Sequence, residues 1–157
     1  QAQLGDLVSV YLDLQKALSR DEFQQAKEGA IPLKAALDSV NMSLVEGAAH
    51  MAWMKLLEPL KVGINDIALA SDVKQARQAF GQVSNALITA VKQFGSSGDL
   101  PLLVYHCPMA FGGQGGDWIQ SREGIENPYY GSAMFSCGSL KETLGKADAE
   151  VEAHRHE

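Results

Sequence analysis

A chain of 157 residues, 46% hydrophobic and 20% charged, has the make-up of one ordinary soluble globular domain, long enough to bury a core. Its net charge of −6, with 13 Lys and Arg scattered along it, excludes the clustered basic face that nucleic acid needs and leaves no basic run for membrane-surface attachment. No stretch of about 18 uninterrupted apolar residues occurs, so no membrane-spanning helix is expected. No signal peptide is visible, yet the chain begins at Gln1 rather than Met and reads as a processed or truncated form.

The first 95 residues read as helices. Leu4, Leu7, Val8, Tyr11, Leu14 and Leu18 recur at three- and four-residue steps and make one apolar stripe. Ser19-Arg20-Asp21-Glu22 stops that helix and starts a second, with Phe23, Ala26, Ala30, Leu33, Leu37 and Val40 on one face and a kink or break expected at Pro32. A third region, from about Ala48 to Ala70, carries Trp53, Leu57, Leu60, Ile64 and Ile67, with Pro59 as a second expected kink. Ser71-Asp72 caps a fourth helix, striped by Val73, Ala76, Phe80, Val83, Leu87, Ala90 and Phe94, and Gly95-Ser96-Ser97-Gly98 ends it. Four amphipathic stretches with short connections predict an antiparallel four-helix bundle over residues 1–95.

The pattern changes after Asp99. Leu102 to Tyr105 is a short β-like run bounded by Pro101 and Pro108. Gly112-Gly113-Gln114-Gly115-Gly116-Asp117 reads as a flexible loop, since it lacks the Gly-Lys-Ser/Thr ending of a phosphate loop. Asn127-Pro128-Tyr129-Tyr130-Gly131 is turn-rich, and Ala133 to Ser136 reads as a second short strand. Ser139-Leu140-Lys141-Glu142 matches a capping box and predicts a final polar helix and tail over residues 139–157. The expected architecture is therefore mainly α in a single domain: a four-helix bundle, an irregular or short-β cap over 100–138, and a last helix.

The cap holds the chemistry. Tyr105-His106-Cys107-Pro108-Met109-Ala110 and Met134-Phe135-Ser136-Cys137-Gly138 contain both cysteines and two of the five methionines. Thiolate and thioether sulfur are soft ligands that select Cu(I) or Ag(I). Proline disfavours the helical region for Cys107, and in an extended stretch Cys107 and Met109 share a side while His106 points away. Met134 and Cys137 converge only on a turn or helix, which Gly138 makes plausible. Cys107, Met109, Met134 and Cys137 could supply two thiolates and two thioethers, with His106 and His50 in reserve. His50 sits four residues before Met54 on one helix face, a second soft pair. From spacing alone, a disulfide or buried free thiols are the simpler account of the cysteines, and Met51 and Met54 read as core filler. The Cys-x-x-Cys spacing of zinc fingers and the Cys-x-x-Cys-His of haem attachment are both absent. Nothing in the motifs points to catalysis.

With these segments in view the chain resembles the DUF3347 domain family. The likeness is carried by Tyr105 to Ala110, Gly116-Asp117-Trp118-Ile119-Gln120, Ile125 to Gly131 and Met134 to Gly138. Upstream it is carried by Arg77-Gln78-Ala79-Phe80, Ser84-Asn85-Ala86-Leu87, and His50 with Trp53. Such domains occur as free-standing exported proteins and at the C-terminus of periplasmic adaptor subunits of heavy-metal efflux pumps. The resemblance implies a helical domain of the bacterial envelope that handles Cu(I) or Ag(I), with an efflux or metallochaperone protein as partner. Two readings follow. In one, Cys107, Met109, Met134 and Cys137 bind a soft metal and hand it on. In the other, the bundle is a non-catalytic interaction module whose cap is stapled by a Cys107–Cys137 disulfide.

Overall fold

The computed structural model describes residues 4–41, 46–96 and 101–144. Four helices come first: α1 (Leu4–Ser19), α2 (Phe23–Asp38), α3 (Gly47–Leu69) and α4 (Val73–Phe94). Each buries the stripe its periodicity defines. Leu4, Leu7, Tyr11, Leu14 and Leu18 of α1 are inaccessible or nearly so, as are Ala26, Ala30, Leu33 and Leu37 of α2. The cap of α4 forms as its sequence predicts: the Gln75 N–H donates to Asp72 Oδ1 at 2.8 Å, and the Ser71 N–H donates to Gln75 Oε1 at 2.8 Å. Gly95, at φ 80°, closes it. Neither proline breaks its helix. Pro32 lies inside α2 and Pro59 inside α3, each a continuous helix. Pro32 faces solvent, where the carbonyl it deprives of a partner can be hydrated.

Beyond α4 lies a three-stranded antiparallel sheet in the order β2-β1-β3, formed by β1 (Leu102–Cys107), β2 (Gly116–Gln120) and β3 (Ser139–Leu144). On one side Cys107 faces Gly116, His106 faces Asp117 and Tyr105 faces Trp118. On the other, His106 faces Ser139 and Leu102 faces Leu144, with a register shift between Val104 and Tyr105. Successive helices pack on one another, while β2 packs on both α4 and α1. Tyr11 of α1 marks the junction. Its hydroxyl is 2.6 Å from Ser84 Oγ of α4 and accepts from the Ile119 N–H of β2 at 3.1 Å, and its ring stacks on Phe80 at 4.8 Å. Helices and sheet thus share one buried core.

Three expectations for the cap are corrected. Residues 139–144 form β3, not the start of a helix; the rest of the expected final helix and tail lies outside the described residues. A four-residue capping pattern is a weak local preference, and pairing with the buried strand β1 overrides it. The two charged side chains of the pattern are engaged across elements: Lys141 with Asp117 at 2.8 Å and Glu142 with Lys92 at 2.7 Å. Ala133 to Ser136 is not a strand, because Gly131, at φ 58°, starts a single 3-10 turn, Gly131–Met134. The glycine-rich stretch is not all loop: its first glycines belong to a helical turn, Ala110–Gly113, and its last to β2. Phe111 and Gly112 take left-handed backbone, and β2 begins at Gly116, where a Cβ would lie 2.8 Å from Tyr129 and 2.9 Å from Phe111.

Candidate metal centre

Cys107 is the last residue of the central strand, held by its pairing with Gly116 of β2 one residue beyond the last β3 pair, His106 with Ser139, and it is wholly buried. Cys137 arrives from a separate turn, in which its N–H donates to the Met134 carbonyl at 3.1 Å. Two residues deliver it. Buried Asn127 donates from Nδ2 to the Cys137 carbonyl at 2.9 Å, while its Oδ1 accepts from the Tyr129 N–H at 2.7 Å. Gly138, at φ 139°, lets the chain pass over β1 where a Cβ would lie 2.9 Å from the His106 carbonyl oxygen. The result sets the two sulfurs 2.9 Å apart, with Cys107 buried and Cys137 half-buried. That separation exceeds the roughly 2.05 Å of an S–S bond. The Cys107–Cys137 disulfide is therefore not formed; both cysteines are free thiols.

The hydrogen bond with the Cys107 sulfur, then burial, then the charge a Cys107 thiolate carries, push the Cys137 thiol upward; the Met109 backbone N–H opposes them. Met109 follows Pro108 in a turn, at φ −85° and ψ −13°, so the extended backbone expected to align it with Cys107 ends at Cys107 itself. Its side chain is 52% exposed and that of Met134 is 37% exposed, each on a segment that carries one of the two cysteines. The turn that joins Met134 to Cys137 is the kind the sequence called for.

His106 alternates with Cys107 along β1 and projects from the opposite face, as expected. There its Nδ1 is 2.6 Å from Asp117 Oδ1, and Lys141 Nζ is 2.8 Å from Asp117 Oδ2. Burial pushes the Asp117 carboxyl up, but the hydrogen bonds and charges of Lys141 and His106 outweigh it and hold the carboxyl below its ordinary range. An ionised carboxylate can only accept, so His106 Nδ1 is the donor and Nε2 is the nitrogen left for other work. His50 stands apart. It is exposed on the first turns of α3, the helix whose Trp53 meets Phe94 at 6.1 Å. Cys107 pairs with Gly116, which packs against Tyr129 and Phe111, and those two rings meet α4 at Phe80 and Gly81. Phe80 and Phe94 are about 21 Å apart along α4 at about 1.5 Å per residue, so His50 does not join the cysteine pair. Its neighbours Met51 and Met54 are 61% and 48% exposed, and are not the core filler expected of them.

The structure thus brings together Cys107 and Cys137, places Met109 and Met134 on the segments that carry them, and keeps His106 and His50 away. Asn127, Gly138 and Asp117 hold the arrangement without having been singled out as site residues. The signals for the first two were an Asn before Pro in a turn-rich segment and a Gly directly after a Cys. Among the described residues no helix is long and apolar enough to cross a membrane.

No curated protein and no solved structure matches this chain. One family model does, that of "Protein of unknown function (DUF3347)", over residues 7–99. The matched residues are those of the helical bundle, and both sulfur segments follow them in the chain. Because the match covers more than half of the 157 residues, the chain belongs to the DUF3347 family.

Proposed function

We propose that this protein binds a soft monovalent cation, Cu(I) or Ag(I), through the Cys107 and Cys137 thiols, and passes it to a partner by ligand exchange. The observation that carries the reading is the 2.9 Å approach of two free thiols delivered by separate segments. Thiolate sulfur selects soft ions. Among the described residues no three His, Cys, Asp or Glu side chains converge, so the donor set fits an ion content with two thiolates rather than a four-ligand zinc centre. Met109 and Met134 are exposed thioethers on the same two segments and suit the role of exchange ligands. Buried Cys107 anchors the site, and half-exposed Cys137 gives access to it. The family resemblance favours the bacterial envelope as the setting and an efflux or metallochaperone protein as the partner.

The test is competition for Cu(I) between fully reduced protein and a chromogenic chelator, with Cys107→Ser and Cys137→Ser alongside. The reading expects one ion per chain, tight binding lost in both variants, and an affinity that climbs with pH, because each thiol must release its proton and that of Cys137 is held above its ordinary range. Failure of the reduced wild type to compete removes the proposal.

A further inference from the structure

A cleft of about 560 Å³ lies between the start of α4 and the cap, within the range of about 300–1,000 Å³ typical of small-molecule sites. One wall is Lys74, Arg77 and Gln78, three residues on adjoining turns of α4; the other is Phe111, Tyr129 and Tyr130. Both tyrosine hydroxyls are already spent, donating to the Asp117 and Met109 carbonyls, so the rings offer carbon surface to the cleft. The charge on the helix wall is positive although the chain carries −6 overall. Lys74 forms no ion pair among the described residues. Arg77 is held rigidly: Nε donates to the Pro128 carbonyl at 2.9 Å, and Nη2 donates to the Leu18 carbonyl at 2.8 Å and to Asp21 at 2.9 Å. Its Nη1 makes no hydrogen bond among the described residues, and Asp21 offsets only one of the two cationic charges.

Phe111 adds an independent mark. It has left-handed backbone, φ 55° and ψ 51°, a conformation in which the Cβ of a non-glycine residue crowds the following carbonyl oxygen. The ring is seated by Gly81, where a Cβ would lie 2.7 Å from Phe111 Cζ, and by Tyr129 at 4.9 Å between centroids. Strain of this kind, held in place by its surroundings, gathers at ligand sites.

We infer that this cleft binds a small planar organic carboxylate, with its ring against Phe111, Tyr129 and Tyr130 and its carboxylate at Lys74 and Arg77. Guanidinium and ammonium donors make charge-assisted hydrogen bonds to a carboxylate, and the aromatic wall holds the apolar body in place. The inference does not depend on metal binding.

Benzoate, acetate, benzyl alcohol and benzylamine, titrated into ¹⁵N-labelled full-length protein, test it. Benzoate is expected to give saturable shifts confined to residues 73–78, 111–114 and 129–130. Acetate and benzyl alcohol, each lacking one half of the ligand, bind at least about fivefold more weakly, and benzylamine does not saturate. Lys74→Met, an exposed change that leaves the remaining spectrum in place, brings benzoate down toward benzyl alcohol. Non-saturating shifts with benzoate, equal response to all four probes, shifts that map elsewhere, or an unaltered benzoate affinity in Lys74→Met would each overturn the inference.

Discussion

At the scale of single residues, this fold depends on a few positions where one atom more cannot be accommodated. Gly131 is the tightest. A Cβ there would stand 2.0 Å from Asp21 Oδ1 and 2.5 Å from Arg77 Nη2, at φ 58°. Asp21 ties three elements together: it accepts from Arg77 of α4 and from both the N–H and the hydroxyl of Ser132 in the 3-10 turn, while itself linking α1 to α2. Gly131→Ala expels that carboxylate. The left-handed backbone and the broken clamp together should cost about 2–4 kcal/mol, read from urea midpoints at unchanged slope. The pH dependence checks the cause. The hydrogen bond from Ser132, then that from Arg77, lowers the Asp21 carboxyl below its ordinary value. Its contribution is therefore complete above the unfolded carboxylate range near pH 4 and is lost as pH falls through the lowered folded value, a decline that Gly131→Ala should flatten. The sulfur pair is a matter of the same scale. Cys107 and Cys137 were recognisable as soft donors from their residue types. Their adjacency was not, because it depends on Asn127 and Gly138 closing a loop across β1, and nothing local to either cysteine states where the other lies.

At the scale of elements, the helices were legible and the cap was only partly so, for a physical reason. A helix of 16 to 23 residues repeats its apolar period several times, and α4 adds a side-chain cap at Asp72, so the signal is local and redundant. Asp72 illustrates how much such a signal is worth. Asp72→Ala removes the acceptor for the Gln75 N–H, a change that should cost about 1 kcal/mol of stability, whereas Asp72→Ser should recover most of it. Equal midpoints for wild type and Asp72→Ala in thermal melts would show that the cap is dispensable. β3 lacks that redundancy. Ser139–Leu144 is strand because β1 is there to pair with, and its capping-box pattern says nothing of a partner more than thirty residues back. At Pro32 the helix does not break: a continuous α2 packed on its neighbours through Ala26, Ala30, Leu33 and Leu37 outweighs one missing hydrogen bond.

At the scale of the whole molecule, the question is whether bundle and sheet are one cooperative unit. The Tyr11 hydroxyl decides much of it. It bonds Ser84 of α4 and receives the N–H of Ile119 in β2, in a site with no access to solvent, where burial pushes its ionisation far above the usual tyrosine range and keeps it protonated. Gln15 of the same helix adds a bond from Nε2 to the Glu126 carbonyl at 2.6 Å. Tyr11→Phe keeps the ring and its stacking on Phe80 but leaves the Ile119 N–H buried without a partner, at a cost of about 1–3 kcal/mol. The two tryptophans separate the outcomes, since Trp53 reports α3 and Trp118 reports β2. In a Trp53→Phe background, far-UV circular dichroism follows the helices and Trp118 fluorescence follows the sheet. Shared packing across the junction requires both signals to fall at one denaturant midpoint, and Tyr11→Phe to lower them together. If the Trp118 transition came first while the helical signal held, the sheet would be a separately melting lid on a self-sufficient bundle. The sulfur pair would then reside on the less stable part, and metal loading would act chiefly by ordering it.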